Sequence, residues 1–428
     1  MENFKKIEIS EKFIKEAEFL ARGTEILPGG VMFLAKKLQE ADETKIPLRV
    51  KLGLDPTKPD LHLGHTVVMR KLKQFQLAGH QIVLIIGAAT AMIGDPSGKS
   101  ETRPNLTKEE VDKNAQTYLE QMNKVFDISK AEVVNNADWL HSMQLADLLK
   151  LASNVTVAQM LVRDDFSKRY SEGKPIALHE FFYPLMQAYD SVVVNADIEL
   201  GGTDQRFNIL LGREIQLAYN KKNPQLVMLL PLLEGTDGIK KMSKTYPDHC
   251  ISLTEDNKNM YGKIMSIPDS LILRYFELLT DVSTEQLREY QKELESDKVN
   301  PRDYKMALAR TIVSEYHSVE KAGEAEQEFI NIFQKKGLPE NIEEISVQEG
   351  SLLVDFLAEK NLTKSKGEAK RLIQNGGVKI DSEKITDLFQ KIEFKEKKSL
   401  ILTIGKRIFV RLVNSVHPPL TPPSREGK

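Results

Sequence analysis

The sequence has almost no cysteine: Cys250 is the single one in 428 residues. A lone cysteine cannot close an intramolecular disulfide, and a zinc site built on several thiolates is excluded. A reducing, cytoplasmic setting fits that scarcity. Long apolar runs are missing too, since none approaches the ~18 residues of a membrane span. The start, MENFKKIEIS, has no apolar core behind its basic residues, so no secretory leader is expected. Net charge is nearly absent, at −2, but that small sum hides an asymmetry. Lys360 to Leu412 carries 14 Lys and Arg against 6 acidic residues, whereas Met1 to Glu359 carries 44 against 55. A basic terminal segment on an acidic body suits a polyanionic partner, although lysines are also common on plain solvated faces.

What remains is an ordinary globular balance. With 41% hydrophobic and 29% charged residues, the chain is long enough for two or three domains, each with its own core. The segment up to Thr44 reads as two helices separated by Leu27-Pro28-Gly29-Gly30. Leu48 to Leu54 reads as a strand, and His62 to Leu77 as a helix with Val68, Met69, Leu72 and Phe75 at helical spacing. The wholly apolar Ile82 to Ile86 is the pattern of a strand buried on both faces of a parallel sheet. Strand, helix and strand in that order predict an α/β, Rossmann-like doubly wound parallel sheet. Thr107 and Glu110 form a capping box that opens a long helix. Helical patterns then run to about Asp190 as an insertion spanning about 104–190. A second set follows: a strand from Ala196 to Leu200, a helix from Asp204 to about Tyr219, and a strand from Leu226 to Leu230. The catalytic part is thus expected over 1–250, a helical part over 251–337, a linker over 338–349, a small α+β unit over 350–412, and a disordered proline-bearing tail over 413–428.

Two motifs carry chemistry. Asp55-Pro56-Thr57 and Leu61-His62-Leu63-Gly64-His65 lie where a strand ends and a helix begins. Helix N-termini offer free N–H groups and a positive dipole end to phosphate. His62 and His65, three apart, share a helix face. Gly64 lets a flat group such as adenine approach the backbone. Imidazoles there can donate hydrogen bonds to phosphate oxygens as charge develops. A zinc reading needs a further ligand that the neighbourhood does not obviously supply, and a purely structural histidine pair is the plain alternative. The second motif is Lys240-Lys241-Met242-Ser243-Lys244-Thr245, behind Gly235-Thr236-Asp237-Gly238. Small residues predict a mobile loop. Lys241 and Lys244 are point charges able to follow a pyrophosphate, although an isolated lysine cluster is more often a solvated face.

Together the motifs resemble the HIGH and KMSKS signatures of class I aminoacyl-tRNA synthetases. Three further stretches resemble the tyrosine-specific branch: Gly94-Asp95-Pro96-Ser97-Gly98-Lys99, Tyr183 to Asp190, and Gly201-Gly202-Thr203-Asp204-Gln205. Residues 350–412 resemble an S4 RNA-binding domain. The resemblance implies activation of L-tyrosine by ATP with Mg²⁺, release of pyrophosphate, and transfer to the terminal adenosine of tRNA(Tyr). No tightly bound protein metal is implied. It also implies a homodimer formed through the inserted helices, no membrane association, and a tRNA-binding role for 251–337.

The same resemblance distributes roles. Asp190 would meet the substrate phenol. Tyr183, Gln187 and Asp95 would hold the ammonium, and Gln205 would lie at the carboxylate. Asp204 would take the ribose, and Asp55 and Thr57 the nucleotide. His62, His65, Lys99, Arg103, Lys241 and Lys244 would stabilise the reacting phosphate. In many bacterial relatives a tyrosine on the first strand also contacts the phenol; here Lys51 stands in that place. Arg206-Phe207 likewise replaces a Trp-Gly pair. Both features read as marks of a subgroup. Rival readings are the tryptophan-specific relative, a nucleotidyltransferase with a similar histidine motif, and a non-catalytic RNA-binding protein.

Overall fold

The computed structural model describes residues 8–95, 107–296, 299–333, 342–395, 397–405 and 408–415. The chain divides into two compact units between Ala325 and Glu326.

The first unit is built on a six-stranded sheet. Its strands are β1 (Glu25–Leu27), β2 (Arg49–Leu54), β3 (Gln81–Ile86), β4 (Glu132–Asn135), β5 (Ile198–Gly202) and β6 (Leu226–Leu230), in the order β1-β6-β5-β2-β3-β4. Neighbours from β6 through β4 run parallel, and β1 joins the β6 edge antiparallel. All five residues of β6 and five of the six in β3 are buried, so helices must cover both faces of the sheet. The doubly wound α/β architecture expected from the sequence is therefore present. The chain moves outward from β2 to β3 and β4, then returns to β5 on the other side of β2. That reversal opens a crevice at the carboxyl ends of β2 and β5, where ligands bind in such folds.

Two strands leave no mark in the sequence pattern. β1 lies between the helices Glu11–Ala21 and Gly30–Thr44, and at three residues it is too short for any periodicity to register. β4 interrupts the insertion expected to be helical, and only partly buried side chains flank it at the sheet edge. The capping box is as expected: Glu110 N–H donates to Thr107 Oγ1 at 3.2 Å, and Thr107 N–H to Glu110 Oε2 at 2.9 Å. The helix it opens, Lys108–Met122, buries Val111, Tyr118 and Met122. Beyond β6 the chain is helical from Asn257 to Phe333. The helix Leu63–Leu77 is tied to that helical series through buried Arg70, which donates to the carboxylates of Glu315 and Asp281.

The second unit holds a five-stranded sheet, with β7 (Glu343–Val347), β8 (Val378–Ile380), β9 (Glu383–Ile385), β10 (Ser399–Ile404) and β11 (Ile408–Asn414) in the order β7-β11-β10-β8-β9. Two helices, Leu353–Glu359 and Lys366–Gln374, close its core of Leu353, Phe356, Ile373, Phe394 and Leu402. The segment expected to be a linker over 338–349 contains β7, paired parallel with β11 from Glu343↔Val410 to Val347↔Asn414. As an edge strand it buries only Val347, which is why its composition looks like that of a linker. β11 also takes Val413 and Asn414 from the expected tail. Residues 416–428 lie outside the described residues.

Candidate active site

A cleft of about 950 Å³ opens at the carboxyl ends of β2 and β5. Its lining brings together most of the candidates chosen from sequence. Thr57, His62, Gly64, His65, Lys241 and Lys244 line it, as do Asp95, Tyr183, Gln187, Asp190 and Gln205, with Asp55 and Asp204. Lys99 and Arg103 lie outside the described residues.

The histidine end is organised by backbone. His62 caps the helix Leu63–Leu77, its Nδ1 accepting from Gly64 N–H at 3.1 Å. His65 Nδ1 accepts from His62 N–H at 3.2 Å. A ring nitrogen that accepts carries no hydrogen, so each imidazole keeps its hydrogen on Nε2 as a donor. Burial holds His62 well below the ordinary imidazole range and His65 down to about 3, with Lys244 and Lys241 adding repulsion. The pair therefore consists of neutral donors whose tautomer is fixed by the helix start, their rings 3.8 Å apart. Gly64 is needed there: a Cβ on it would lie 3.0 Å from the His62 ring and 3.6 Å from Met242 Cβ.

The closeness of Met242 shows how the lysine loop reaches the histidines. Met242 N–H donates to Leu233 O at 2.8 Å, and Gly235 N–H to Lys240 O at 2.8 Å, folding the segment back on itself. Met242 is buried behind it. Lys241 Nζ pairs with Asp204 Oδ2 at 2.9 Å. Lys244 Nζ donates to Lys58 O at 3.2 Å and stands 5.2 Å from the centre of the Tyr118 ring. Burial lowers Lys244 to about 8, with Asp60 opposing. Two motifs about 180 residues apart in sequence thus meet in the cleft.

Asp190, also in the lining, is 3% exposed. Its Oδ1 accepts from Trp139 Nε1 at 2.9 Å and its Oδ2 from Asn136 Nδ2 at 3.3 Å. Burial pushes its carboxyl up to about 7, opposed by Lys51, Trp139 and Asn136. Asn136 also donates to Thr90 Oγ1 at 3.1 Å, and Thr90 to Asp55 Oδ1 at 2.8 Å. Tyr183 Oη donates to Asp55 Oδ2 at 2.9 Å. A buried polar chain therefore runs from Asp190 to the end of β2.

Lys51 is 0% exposed. Its ammonium meets Glu199 Oε1 at 2.9 Å, Ser191 Oγ at 2.7 Å and Gln187 O at 3.1 Å. The β2–β5 register sets Lys51 beside Glu199. Three partners occupy three donors, so Lys51 braces the helix Phe182–Val193, which carries Tyr183, Gln187 and Asp190, and does not reach into the cleft as the usual tyrosine would. Sequence reasoning missed Asn136, Trp139, Arg163 and Asn208. The one available signal was that Trp139 is the sole tryptophan of the chain.

The family model described as tRNA synthetases class I (W and Y) matches residues 43–334. A second, described as the tyrosine–tRNA ligase SYY-like C-terminal domain, matches 333–412. A tyrosine–tRNA ligase of Carboxydothermus hydrogenoformans is 50% identical over 406 residues, covering 93% of this chain and 98% of the relative. One of Thermotoga maritima is 50% identical over 377 residues, covering 88% and 93%. Among solved structures, the tyrosyl-tRNA synthetase of Archaeoglobus fulgidus complexed with L-tyrosine superimposes with a TM-score of 0.59 at 24% identity. That match covers 73% of this chain and 99% of the other, and it speaks to the fold.

Proposed function

The chain belongs to the class I tRNA synthetases of the W and Y group, and we infer that its cleft activates L-tyrosine with ATP and passes the tyrosyl group to tRNA(Tyr). It is a tyrosine–tRNA ligase, with ATP as a substrate. The observation that carries the choice of amino acid is Asp190, a buried carboxylate in the lining of the cleft. Trp139 and Asn136 each donate to one of its oxygens; a phenol pairs a remaining lone pair, and phenylalanine would leave that lone pair desolvated without a donor, a cost of about 1–3 kcal/mol. Tryptophan would bring an indole N–H in place of a phenol and a larger ring system into the same place.

The residue roles are our proposal. The tyrosine carboxylate attacks the α-phosphorus of ATP, a bond forms from carboxylate oxygen to phosphorus, and pyrophosphate leaves. The substrate supplies its own nucleophile, so the protein works by positioning and by stabilising charge. His62 and His65 donate Nε2–H to phosphate oxygens. Lys241 leaves Asp204 for the triphosphate, which frees Asp204 for the ribose hydroxyls. Lys244, and Lys99 and Arg103, complete the cationic set. Mg²⁺ arrives with ATP, held mainly by phosphate oxygens. Asp95, Tyr183 and Gln187 receive the ammonium and Gln205 lies at the carboxylate. Thr57 and Asp55 border the nucleotide, and a terminal tRNA hydroxyl then takes the tyrosyl group from the adenylate.

We propose further that the segment 251–337, helical where it is described, and the basic second unit bind tRNA. Leu145, Leu149, Val157 and Leu178 of the insertion are each more than 60% exposed, and we assign this apolar set to a second copy of the chain. A cytoplasmic location rests on the single cysteine. No helix among the described residues is long and apolar enough to cross a membrane. Amino-acid-dependent ATP–pyrophosphate exchange, run over all twenty amino acids, tests the reading. Stimulation by tyrosine alone is the expected result; stimulation by tryptophan, or by none, refutes it.

A further inference from the structure

Arg163 precedes the helix Asp164–Ser171 inside the insertion, is 5% exposed, and does not itself line the cleft. Its guanidinium nonetheless touches what holds the amino-acid end. Nη2 meets Asp95 Oδ1 at 3.3 Å, Nη1 donates to Asn208 Oδ1 at 2.9 Å, and Nε pairs with Asp165 Oδ1 at 2.6 Å. Asn208 passes the constraint on. Its Nδ2 donates to Gln187 Oε1 and to Gln205 Oε1, both at 3.0 Å, and Gln205 Nε2 donates to Asp95 Oδ2 at 2.8 Å.

The direction of this relay follows from donor chemistry. A guanidinium only donates, so Asn208 must turn its oxygen toward Arg163 and its nitrogen toward the glutamines. Each glutamine must then turn its oxygen to Asn208, which leaves Gln205 Nε2 for Asp95. Asp95 thereby receives a fixed donor on each oxygen. Starting from one side chain outside the cleft, three cleft residues are set in orientation.

We propose that Arg163 is a positioning residue for the ammonium end of the tyrosine site, acting directly on Asp95 and through Asn208 on Gln187 and Gln205. This rests on the ligase reading above. The fork matters as well as the charge. Three acceptors in three directions match a planar guanidinium, and a lysine ammonium on a flexible stem cannot meet them together.

The test uses full-length protein in the exchange assay, with two competitive inhibitors. Tyramine keeps the ammonium and lacks the carboxylate; 3-(4-hydroxyphenyl)propionate does the reverse. In Arg163→Lys and Arg163→Gln, KM for tyrosine and Ki for tyramine are expected to rise about tenfold or more, in line with losing hydrogen bonds at a charged site. Ki for the deamino acid, whose carboxylate meets only Gln205 of the relayed residues, rises less, by about threefold at most, and KM for ATP stays within about twofold. Asn208→Asp retains the acceptor for Arg163 and removes the donor to both glutamines, and it should give the same split. It keeps the inference open to test if Arg163→Gln does not fold. Equal weakening of both inhibitors, a parallel rise in KM for ATP, or unchanged tyrosine kinetics in the folded variants overturns the proposal. Failure of the wild-type chain to respond to tyrosine would instead sink the ligase reading, before any variant is compared.

Discussion

Moving the pH from about 6 to about 8 changes the charge of few groups in the cleft. His65, held down to about 3, and His62, also far below its ordinary range, remain neutral throughout. Asp190 changes, because burial has pushed it up to about 7 despite Lys51, Trp139 and Asn136. With that value roughly a tenth of the empty molecules carry the anion at pH 6 and roughly nine-tenths at pH 8. The anion is the form that accepts a phenol hydrogen without first losing its own proton. Capture of tyrosine should therefore scale with its population, so kcat/KM for tyrosine rises nearly tenfold over this interval. Lys244, lowered to about 8 by burial, would cut into the upper end. Saturating ATP removes that complication, since phosphate charge holds the ammonium protonated. The assay is exchange at saturating ATP with tyrosine varied, because kcat/KM reports the groups free before tyrosine binds. Asp190→Asn should have low activity and no ascending limb. A wild-type profile flat from about pH 6 to 8, or a variant that keeps the limb, refutes the reasoning.

The same carboxyl has a cost in stability, of opposite sign to its use. Its folded pKa lies above its unfolded value, so its neutral form favours the fold. That contribution is intact below about pH 4 and is lost as pH climbs through about 7. The rise from 3.8 to about 7 corresponds to on the order of 4 kcal/mol. Chemical denaturation at several pH values should show Asp190→Asn gaining on the wild type between about pH 4 and 8; a constant difference would contradict this.

Three further outcomes follow from the geometry. Lys51→Met should cost about 3–5 kcal/mol in urea unfolding, because Glu199, 1% exposed, loses its counter-charge; adding Glu199→Gln should recover most of it, and no recovery would point to packing instead. Gly64→Ala places a methyl 3.0 Å from the His62 ring, so kcat in exchange should fall by about tenfold or more while KM for tyrosine holds; a change confined to KM would separate the ring from the chemical step. A chain ended after Phe333 should retain tyrosine-dependent exchange but charge tRNA less well, with the intact protein's advantage shrinking as salt rises. Ending it at 350 would leave β7 behind without β11, and equal charging by the shorter chain would count against an RNA role for the second unit.

Much of this fold was legible because its strands are buried on both faces and its helices begin with recognisable caps. β3 and β6 announce themselves as unbroken apolar runs, and Thr107 with Glu110 marks a helix start to the residue. The elements that escaped are those that bury little. β1 has three residues, β4 carries mixed side chains at a sheet edge, and β7 buries Val347 alone. Each owes its existence to a partner strand distant in sequence, β6, β3 and β11 respectively. Local pattern contains no record of that partner.

The same division runs through the site. The candidate groups sit in compact motifs, since strand ends and helix starts present them together; hence His62, His65, Lys241 and Lys244 could be named from spacing and Asp55 from the resemblance, and all line the cleft. Groups that hold those side chains in place do not share this constraint. Asn136 and Trp139 follow β4, 51 to 54 residues before the carboxylate they touch, and Arg163 lies 68 residues from Asp95. Lys51 shows what the difference means for function. Read along the sequence, it is a cation where a substrate-facing phenol should be. In the folded chain Glu199, Ser191 and Gln187 O take its donors, and its charge favours the ionisation of Asp190. On the proposed reading, a position that resembles a substrate-facing tyrosine in many bacterial relatives here bears a cation that favours ionisation of Asp190 against its burial. On the proposed reading, Trp139 and Asn136 each occupy one lone pair on the Asp190 oxygens and leave a further lone pair on each for the substrate phenol.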